Sequence, residues 1–496
     1  MKKTISILLL AAMLTGTCVS CGSSPAETTA SDNEMSQTET ETVPETEETS
    51  YLEGLASADY AGADFRMLGR NLLGGVTLPT TLNLHTGELT GEVVNDALYN
   101  RDLMLEEKYN VVVTGTVDDN TSREAFKKMI TAGDAAYEMI WEDMAYSGIY
   151  LVNNSLVHPL NYVENIDLSK PYWEQTANEA LKIADSIYFA TGPISPRYYG
   201  SAYIIMFNRD MASELGLEDY YTMVEEGTWT IDQMMEDART ATYDSDGDGT
   251  ITDEDRIGMA YEVLTPESIL FGAGYHYIEQ ENGEMKVTLE DENLISLMQK
   301  LISFFQEDCA VWVYNNGPYD EVKMYSEGHL LFYNPVTFCL ADFRELEYDF
   351  GILPMPKLNS EQESYISYGQ PWATATPYVP VTNTGDTLSM TGMLIEAMAA
   401  YGLEKLRPAV FEDVIQLKST RDEQSGKIIE LLFDTITFDL MPVLNPGSLY
   451  GELQGIFTSG LGKKEVTSMY ASKKEAAANA LAKTVADIMK MEENYK

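Results

Sequence analysis

The sequence predicts an α/β protein, in which helices cover both faces of a largely parallel sheet. Residues 64–143 alternate between short apolar strands and helices whose apolar residues recur at helical spacing. This βαβαβ order is typical of parallel sheets with crossover helices. The chain has 496 residues, of which 44% are hydrophobic, so it can form two or three domains or two large lobes.

The first part of the chain contains five predicted elements that begin the sheet. We expect, in order, a strand at 64–70, a helix at 91–110, a strand at 111–117, a helix at 121–133 and a strand at 137–143. In such sheets ligands bind beyond the carboxyl ends of the strands. The tripeptide Trp141-Glu142-Asp143 stands where a strand of this kind ends.

Further elements are predicted in the rest of the chain. Residues 186–211 are expected to form paired strands, and 228–243 a helix that Thr230 caps. The remaining expectations are strands at 329–335, 349–357 and 372–381, a helix at 387–402 and a largely helical C-terminal third.

The charge of the chain limits its partners. At a net charge of −47, the protein would repel the phosphates of nucleic acid. The same charge disfavours electrostatic binding to anionic lipid headgroups. It suits a protein that works in a calcium-containing external medium.

The N-terminus resembles a bacterial lipoprotein signal peptide, expected at residues 1–21. A short basic region precedes about ten apolar residues at 5–14, too few to span a bilayer of ~30 Å. Cys21 follows small residues and is the predicted lipidation site, where acyl chains such as palmitate would be attached, with Cys18 as the alternative. The protein is therefore expected at the extracellular face of the bacterial cell membrane, held only by a lipid anchor.

Residues 22–57 form an acidic tract rich in Ser, Thr and Glu, which we predict to be a disordered tether. Beyond it the chain has two cysteines, Cys309 and Cys339. A disulfide between them is compatible with an external location, and two buried thiols are the alternative.

Residues 244–255 fit the template of a calcium-binding loop. Asp244, Asp246 and Asp248 occupy positions 1, 3 and 5, and Gly249 occupies position 6, where a sharp turn needs a residue without Cβ. Thr250 would offer its carbonyl at position 7. Asp255 replaces the usual Glu at position 12, so we expect weak, structural Ca²⁺ binding and no signalling switch. An Asp/Gly turn without metal is the alternative.

The sequence carries no recognisable catalytic motif. It has four histidines, His85, His158, His276 and His329, without an HExxH pair. It also lacks a GxSxG elbow, a P-loop and a GxGxxG that follows a strand. We therefore predict that the protein is not an enzyme.

Several stretches together resemble one family. In chain order, they are the lipobox and the segments 95–111, 137–160, 203–217, 228–238 and 348–357. They are similar to family 1 extracellular solute-binding proteins of bacterial carbohydrate ABC importers, the group that includes maltose-binding protein. The resemblance covers nearly all of the chain after the tether.

This resemblance implies a two-lobed periplasmic-binding-protein-like fold of type II, with discontinuous lobes joined by hinge strands. Lobe one would comprise residues 58–200 and 376–415, and lobe two residues 204–370 and 416–496, with the calcium loop on lobe two. Hinges would lie near 199–203 and 371–375. The protein would be a monomer that closes on a carbohydrate and docks on ABC transporter permease subunits.

A sugar site needs aromatic rings against C–H faces and carboxylates or amides for the hydroxyls. The resemblance to maltose-binding protein implies that Trp141 and Asp143 are ligand-binding residues, with Glu142 beside them. The other candidates are Tyr198 and Tyr199 at the first hinge, Tyr333 and Asn334 at a strand end, and Trp372 at the second hinge. Strand alternation would direct only one of Tyr198 and Tyr199 to the cleft.

Two other functions remain open at the level of sequence. One is a surface lipoprotein that captures polysaccharide, or an adhesin, without coupling to transport. The other is an ABC receptor for a non-sugar solute such as a peptide.

Overall fold

A computed structural model describes residues 50–69, 72–73, 76–77, 84–118, 122–281, 284–313, 320–343, 346–418, 423–458 and 460–495. The predicted signal peptide, Cys18, Cys21 and tether residues 22–49 lie outside the described residues. Within the described part, none of the helices combines the length and apolar character needed to cross a membrane.

The strands are numbered in chain order: β1 (Ala63–Gly69), β2 (Leu72–Leu73), β3 (Val76–Thr77), β4 (Val111–Val117), β5 (Met139–Asp143), β6 (Val157–His158), β7 (Ile205–Asn208), β8 (Ile257–Tyr261), β9 (Ile278–Glu281), β10 (Glu284–Val287), β11 (Ala310–Trp312), β12 (Leu330–Tyr333), β13 (Phe350–Leu353), β14 (Ser367–Tyr368), β15 (Ala375–Pro380) and β16 (Ile436–Thr437).

The α-helices are numbered likewise: α1 (Val93–Tyr109), α2 (Arg123–Thr131), α3 (Ile149–Asn153), α4 (Gln175–Ala180), α5 (Pro196–Gly200), α6 (Arg209–Leu215), α7 (Tyr220–Glu226), α8 (Ile231–Ala241), α9 (Thr265–Gly272), α10 (Glu292–Phe304), α11 (Glu321–Ser326), α12 (Gly385–Tyr401), α13 (Arg407–Lys418), α14 (Glu423–Asp434), α15 (Leu440–Leu444), α16 (Leu449–Phe457) and α17 (Val466–Glu492). Short π-helical turns occupy Met144–Gly148 and Gly402–Leu406, and 3₁₀ turns occupy Leu160–Tyr162, Thr337–Phe343 and Pro446–Ser448.

The first sheet has the strand order β4-β1-β5-β15-β6. Strand β1 pairs in parallel with β4 and β5, whereas β15 runs antiparallel to β5 and β6. Its core includes Phe65, Leu105, Trp141, Val379 and Leu394, which belong to one buried cluster. Strand β15 therefore completes a sheet that the N-terminal part of the chain began.

The second sheet has the strand order β11-β8-β12-β7-β13. Strand β8 pairs in parallel with β11 and β12, and β7 runs antiparallel to β12 and β13. Helix α8 packs so closely on β8 that a Cβ at Gly258 would lie 2.1 Å from the carbonyl oxygen of Ala238. Only glycine permits this approach.

Two segments, residues 199–204 and 368–374, connect the sheets and are here named the hinge segments. They pair with each other, since Ala202 and Gly369 form an antiparallel bridge and Gln370 N donates to Ser201 O at 2.9 Å. The Thr374 hydroxyl also donates to Ser201 Oγ at 2.7 Å. Two sheets joined in this way confirm the predicted two-lobed α/β fold, while the lobe boundaries stay a prediction.

The C-terminal helix α17 contacts both parts of the fold. Its body packs on α10, α16 and β10. At its end, Glu492 accepts hydrogen bonds from Asp185 N at 2.9 Å and Ser186 Oγ at 2.8 Å, next to the first sheet. The helix therefore joins segments that the prediction assigns to different lobes, outside the hinge segments.

Candidate functional site

The carboxyl edges of the two sheets meet at the hinge segments. Strand β5 ends at Asp143, and Met144 N donates to Pro371 O at 3.1 Å. Strand β8 ends at Tyr261, directly before Glu262. In α/β proteins this edge is where ligands bind, so the space beside the hinge segments is the candidate cleft.

A stacked pair of buried tyrosines joins the two hinge segments beside the candidate site. The rings of Tyr203 and Tyr368 have centroids 5.8 Å apart and planes only 8° apart. The Tyr203 hydroxyl donates to Glu262 Oε1 at 3.3 Å and accepts from Gln370 Nε2 at 3.0 Å. Hydroxyl, amide and carboxyl groups are therefore held together beside an aromatic face.

Two glutamates next to these tyrosines are held in an environment that favours their neutral forms. The pKa of the partly exposed Glu262 is raised to about 7, mainly by desolvation and to a smaller extent by the nearby Glu321. Desolvation raises the pKa of the buried Glu267 to about 8, although Tyr368 OH donates to Glu267 Oε1 at 2.6 Å. Each carboxyl can donate as well as accept hydrogen bonds near neutral pH.

Trp372 supplies a partly exposed aromatic ring beside the second hinge segment. Its ring lies 5.6 Å from that of Tyr450, with an angle of 34° between the planes. Tyr450 is itself hydrogen-bonded to Glu267. The predicted residue Trp372 is thus joined to the tyrosine and glutamate cluster.

The three predicted residues at the end of β5 are buried, whereas a ring that stacks on a sugar needs an exposed face. Trp141 is 1% exposed and packs in the first sheet's core, and no described residue accepts a hydrogen bond from its Nε1. Glu142 is also buried, and Asp143 caps the π-helical turn by accepting from Tyr146 N at 2.6 Å. Direct ligand contact by Trp141, Glu142 and Asp143 stays a prediction.

Residues 196–200 are helical, so the expectation of a strand with one tyrosine facing the cleft is wrong. Pro196 begins α5, and the Ser195 hydroxyl accepts from Arg197 N. Proline's fixed φ suits the first helical position, which a strand prediction overlooked. Tyr198 and Tyr199 are both fully buried and pack against each other with centroids 5.0 Å apart. Their predicted ligand role is not tested by this packing.

The two predicted residues at the end of β12 make extensive contacts within lobe two. Tyr333 is 8% exposed, and its ring lies 5.8 Å from those of both Tyr325 and Phe343. Asn334 Nδ2 donates to Ile204 O at 2.7 Å, and its Oδ1 accepts from Ser268 Oγ at 3.0 Å. The Asn334 amide therefore holds the start of β7, and ligand contact by either residue stays a prediction.

The acidic loop 244–255 brings together three of the predicted calcium ligands. Carboxylate oxygens of Asp244, Asp246 and Asp255 lie within 4.8 Å of one another. Gly249 has a φ of +86°, as position 6 of the template requires. Asp248 Oδ1 instead accepts from Thr250 N at 2.7 Å. An all-oxygen donor set suits Ca²⁺, so the residues fit the predicted ion, whose binding stays a prediction.

Sequence reasoning did not find several residues of the cleft, namely Tyr203, Glu262, Glu267, Gln370 and Tyr450. For Glu262 a sequence signal existed, because this acidic residue directly follows the buried strand β8, as acidic residues also stand at the end of β5. Tyr450 and Glu267 are 183 residues apart in the numbering and meet only in the fold.

No protein-family model matches the sequence, and no curated protein matches it by sequence. Comparison with solved structures finds similarity over most of the chain. A cyclo/maltodextrin-binding protein in complex with maltotetraose has a TM-score of 0.55 at 12% identity, covering 86% of this chain and 98% of that chain. An ABC substrate-binding protein from Listeria monocytogenes in complex with cycloalternan has a TM-score of 0.50 at 10% identity, covering 87% and 99%.

A third similar structure is UgpB from Mycobacterium tuberculosis in complex with glycerophosphocholine. Its TM-score is 0.51 at 11% identity, covering 87% of this chain and 99% of that chain. The chain therefore has the two-lobed fold of the substrate-binding proteins of ABC transporters, as the sequence resemblance predicted. At these low identities the likeness establishes the fold, and the ligand has to be inferred from the cleft.

Proposed function

We propose that this protein is the substrate-binding component of an ABC importer, which binds a sugar or oligosaccharide between two closing lobes and delivers it to the permease. The observation that carries the proposal is the group of polar and aromatic side chains at the junction of the two sheets, Tyr203, Glu262, Gln370 and Trp372, of which the last three are partly exposed. Three of the structures with this fold are complexes with a maltodextrin, a cycloalternan or a polyol phosphodiester.

The chemistry of the cleft supports a polyhydroxylated ligand. The partly exposed ring of Trp372 can cover an apolar C–H face of a sugar. Glu262 and Gln370 offer the paired donors and acceptors that neighbouring hydroxyls need. Because its pKa is raised to about 7, the Glu262 carboxyl can donate as well as accept hydrogen bonds near neutral pH, as sugar hydroxyls require.

Closure would follow from ligand contacts on both lobes. A sugar that touches groups on both sides of the hinge binds the closed state better than the open state, and therefore shifts the population toward it. The hinge segments share hydrogen bonds between Ser201 and Thr374, so they can stay paired while the sheets rotate. The closed form would then be the one that the permease recognises.

We also infer that Ca²⁺ binds loop 244–255 and has a structural role. Asp244, Asp246 and Asp255 would hold the ion, with Asp248 and the Thr250 carbonyl completing the template. The ion would supply positive charge to an otherwise repulsive acidic turn between α8 and β8. Lipidation at Cys21, which would anchor the protein at the outer face of the membrane, belongs to the same proposal.

The proposal is tested by incubating the purified protein with neutral oligosaccharides while measuring binding, turnover and small-angle X-ray scattering. Saturable binding with a smaller radius of gyration and no product supports a transport receptor. Binding without compaction would favour a capture protein or adhesin, and turnover would identify an enzyme. Binding of a peptide in place of any sugar would refute the carbohydrate part.

A further inference from the structure

Glu262 is a partly exposed carboxyl that is surrounded by other acids. It directly follows β8, and its Oε1 accepts a hydrogen bond from the Tyr203 hydroxyl at 3.3 Å. The other titratable groups that interact with it are those of Glu267, Glu321, Tyr333 and Cys339. Each of these groups is either neutral or negative. Within the residues that the structure describes, Glu262 interacts with no lysine, arginine or histidine.

These surroundings favour a carboxyl that keeps its proton. Desolvation raises the pKa of Glu262 to about 7, and it outweighs the hydrogen bonds from the Tyr203 hydroxyl and from the backbone N–H groups of Val263 and Leu264. A protonated Glu262 can still accept the Tyr203 hydroxyl at Oε1, and it gains an O–H that can be donated to a ligand.

A neutral ligand that covers Glu262 would favour the protonated form further. The side chain is partly exposed, so a sugar bound beside it would remove water from the carboxyl. An ionised carboxylate that loses water without gaining a cation is costly, whereas the hydroxyls of a sugar can replace the hydrogen bonds of a neutral carboxyl. The acids around Glu262 offer no compensating positive charge. Ligand binding and protonation should therefore support each other.

We propose that the protein binds its sugar with Glu262 protonated, so that ligand capture is linked to one proton and weakens in an alkaline medium. This inference rests on the proposed function and adds a regulation of the same site. Tyr203 joins the carboxyl to both hinge segments, because its hydroxyl also accepts from Gln370 Nε2 at 3.0 Å. The linked proton is thus bound at the junction of the two sheets.

The test is isothermal titration from about pH 6 to about pH 9 with neutral tetrasaccharides of glucose, galactose, mannose or xylose. The wild-type affinity should fall about tenfold between pH 6 and pH 8, because most of the Glu262 carboxyl is ionised in the free protein at the higher pH. At pH 8 the wild type should also take up about one proton per bound ligand. The difference in binding heat between two buffers of unlike ionisation enthalpy measures this uptake.

Two variants assign the proton to this carboxyl. Glu262→Gln should bind like the wild type at pH 6 and keep that affinity at higher pH without proton uptake, because an amide both donates and accepts but does not titrate. Glu321→Gln removes a negative neighbour of Glu262, so the affinity of this variant should begin to fall at a lower pH than in the wild type. Glu327→Gln is the matched control, an exposed carboxyl at the other end of α11 that pairs with Lys323, and it should have the wild-type pH profile.

A wild-type affinity that does not change with pH overturns this inference while the proposed function stands. A Glu262→Gln protein that melts like the wild type also overturns it, if this variant keeps the wild-type pH dependence or loses its affinity at pH 6. If Glu262→Gln does not fold, the proton uptake of the wild type and the shifted profile of Glu321→Gln decide the question. A wild type that binds none of these sugars at any pH overturns both the inference and the proposed function.

Discussion

Tyr203 and Tyr368 stack across the two hinge segments, and the Tyr203 backbone N–H donates to the Tyr368 carbonyl at 2.8 Å. The same tyrosines direct their hydroxyls to Glu262 and Glu267, respectively. Because one pair of residues joins the hinge to both carboxyl groups, hinge geometry and the chemistry of the cleft are coupled. A ligand that bound the partly exposed Glu262 would therefore act on a residue of the first hinge segment.

Tyr203→Phe should weaken sugar binding about fivefold to tenfold, with a small loss of stability. The change removes the hydroxyl that donates to Glu262 and accepts from Gln370, so neither polar group keeps its orientation. Isothermal titration measures the loss. Tyr188→Phe is the control, since Tyr188 is a buried tyrosine that hydrogen-bonds to Ser186 near the first sheet. An unchanged affinity in Tyr203→Phe would remove this hydroxyl from the site.

Trp141→Ala should lower the free energy of unfolding by about 3–5 kcal/mol, because a fully buried indole leaves a cavity. Urea denaturation measures this change. Trp173→Ala should lower the free energy of unfolding by a similar amount, since Trp173 is equally buried and its Nε1 donates to Glu396 Oε2 at 3.0 Å. The predicted ligand role of Trp141 is tested separately with Trp141→Phe, a smaller change. Weaker sugar binding by a stable Trp141→Phe protein would support that role.

The double variant in which Ala replaces both Asp244 and Asp248 should abolish the effect of calcium on thermal melting and leave the sugar affinity unchanged. In the wild type, about 5 mM Ca²⁺ should raise the melting temperature, because a ligand that binds the native state stabilises it. This concentration lies above the expected dissociation constant, which is on the order of 10⁻⁴–10⁻³ M. Glu254→Gln is the control, an exposed residue of the same loop outside the carboxylate group. A wild type that melts identically in Ca²⁺ and in chelator would show that the loop is only an Asp/Gly turn.

The free energy of unfolding should fall as the pH rises from about 5 to about 8. Glu262 and Glu267 have raised pKa values in the folded protein, about 7 and about 8, so the folded state keeps protons that the unfolded state releases. The stabilising contribution of these two carboxyls is thus fully present below their ordinary pKa and is lost as the pH rises through the raised values. Urea denaturation at several pH values measures this slope.

Glu267→Gln should flatten that pH dependence, because an amide at this position does not titrate. Tyr368, Tyr450, Asp439 and Glu262 face this carboxyl and remain in the variant. With a pKa of about 8 in the folded protein, the difference corresponds to a free energy on the order of 3–4 kcal/mol over this pH range. A variant with the wild-type slope would show that Glu267 is already ionised in the folded protein.

Local patterns predicted much of the first sheet. Strand β4 occupies the predicted residues 111–117, and β5 ends at Asp143 as expected, since β-branched and apolar runs determine such strands. Residues 196–200 were mispredicted because the Ser195 cap and Pro196 favour a helical turn over the apolar pattern that suggested a strand.

The cleft could not be predicted in the same way, because distant residues create it. Tyr368 meets Glu267 across 101 positions of the chain, and Gln370 meets Tyr203 across 167. No local spacing encodes such pairs. Trp372 was predicted because it stands at a hinge that the family resemblance located, and the structure places it against Tyr450.

The most direct test of the central claim is isothermal titration of the wild type and Trp372→Ala with the same neutral oligosaccharides. The account predicts saturable one-to-one binding by the wild type and at least about a tenfold loss, or 1.4 kcal/mol, in the variant. Trp372→Phe should keep most of the affinity because it preserves an aromatic face. Sugar binding that is equally tight in Trp372→Ala, or a wild type that binds no sugar, would contradict the account.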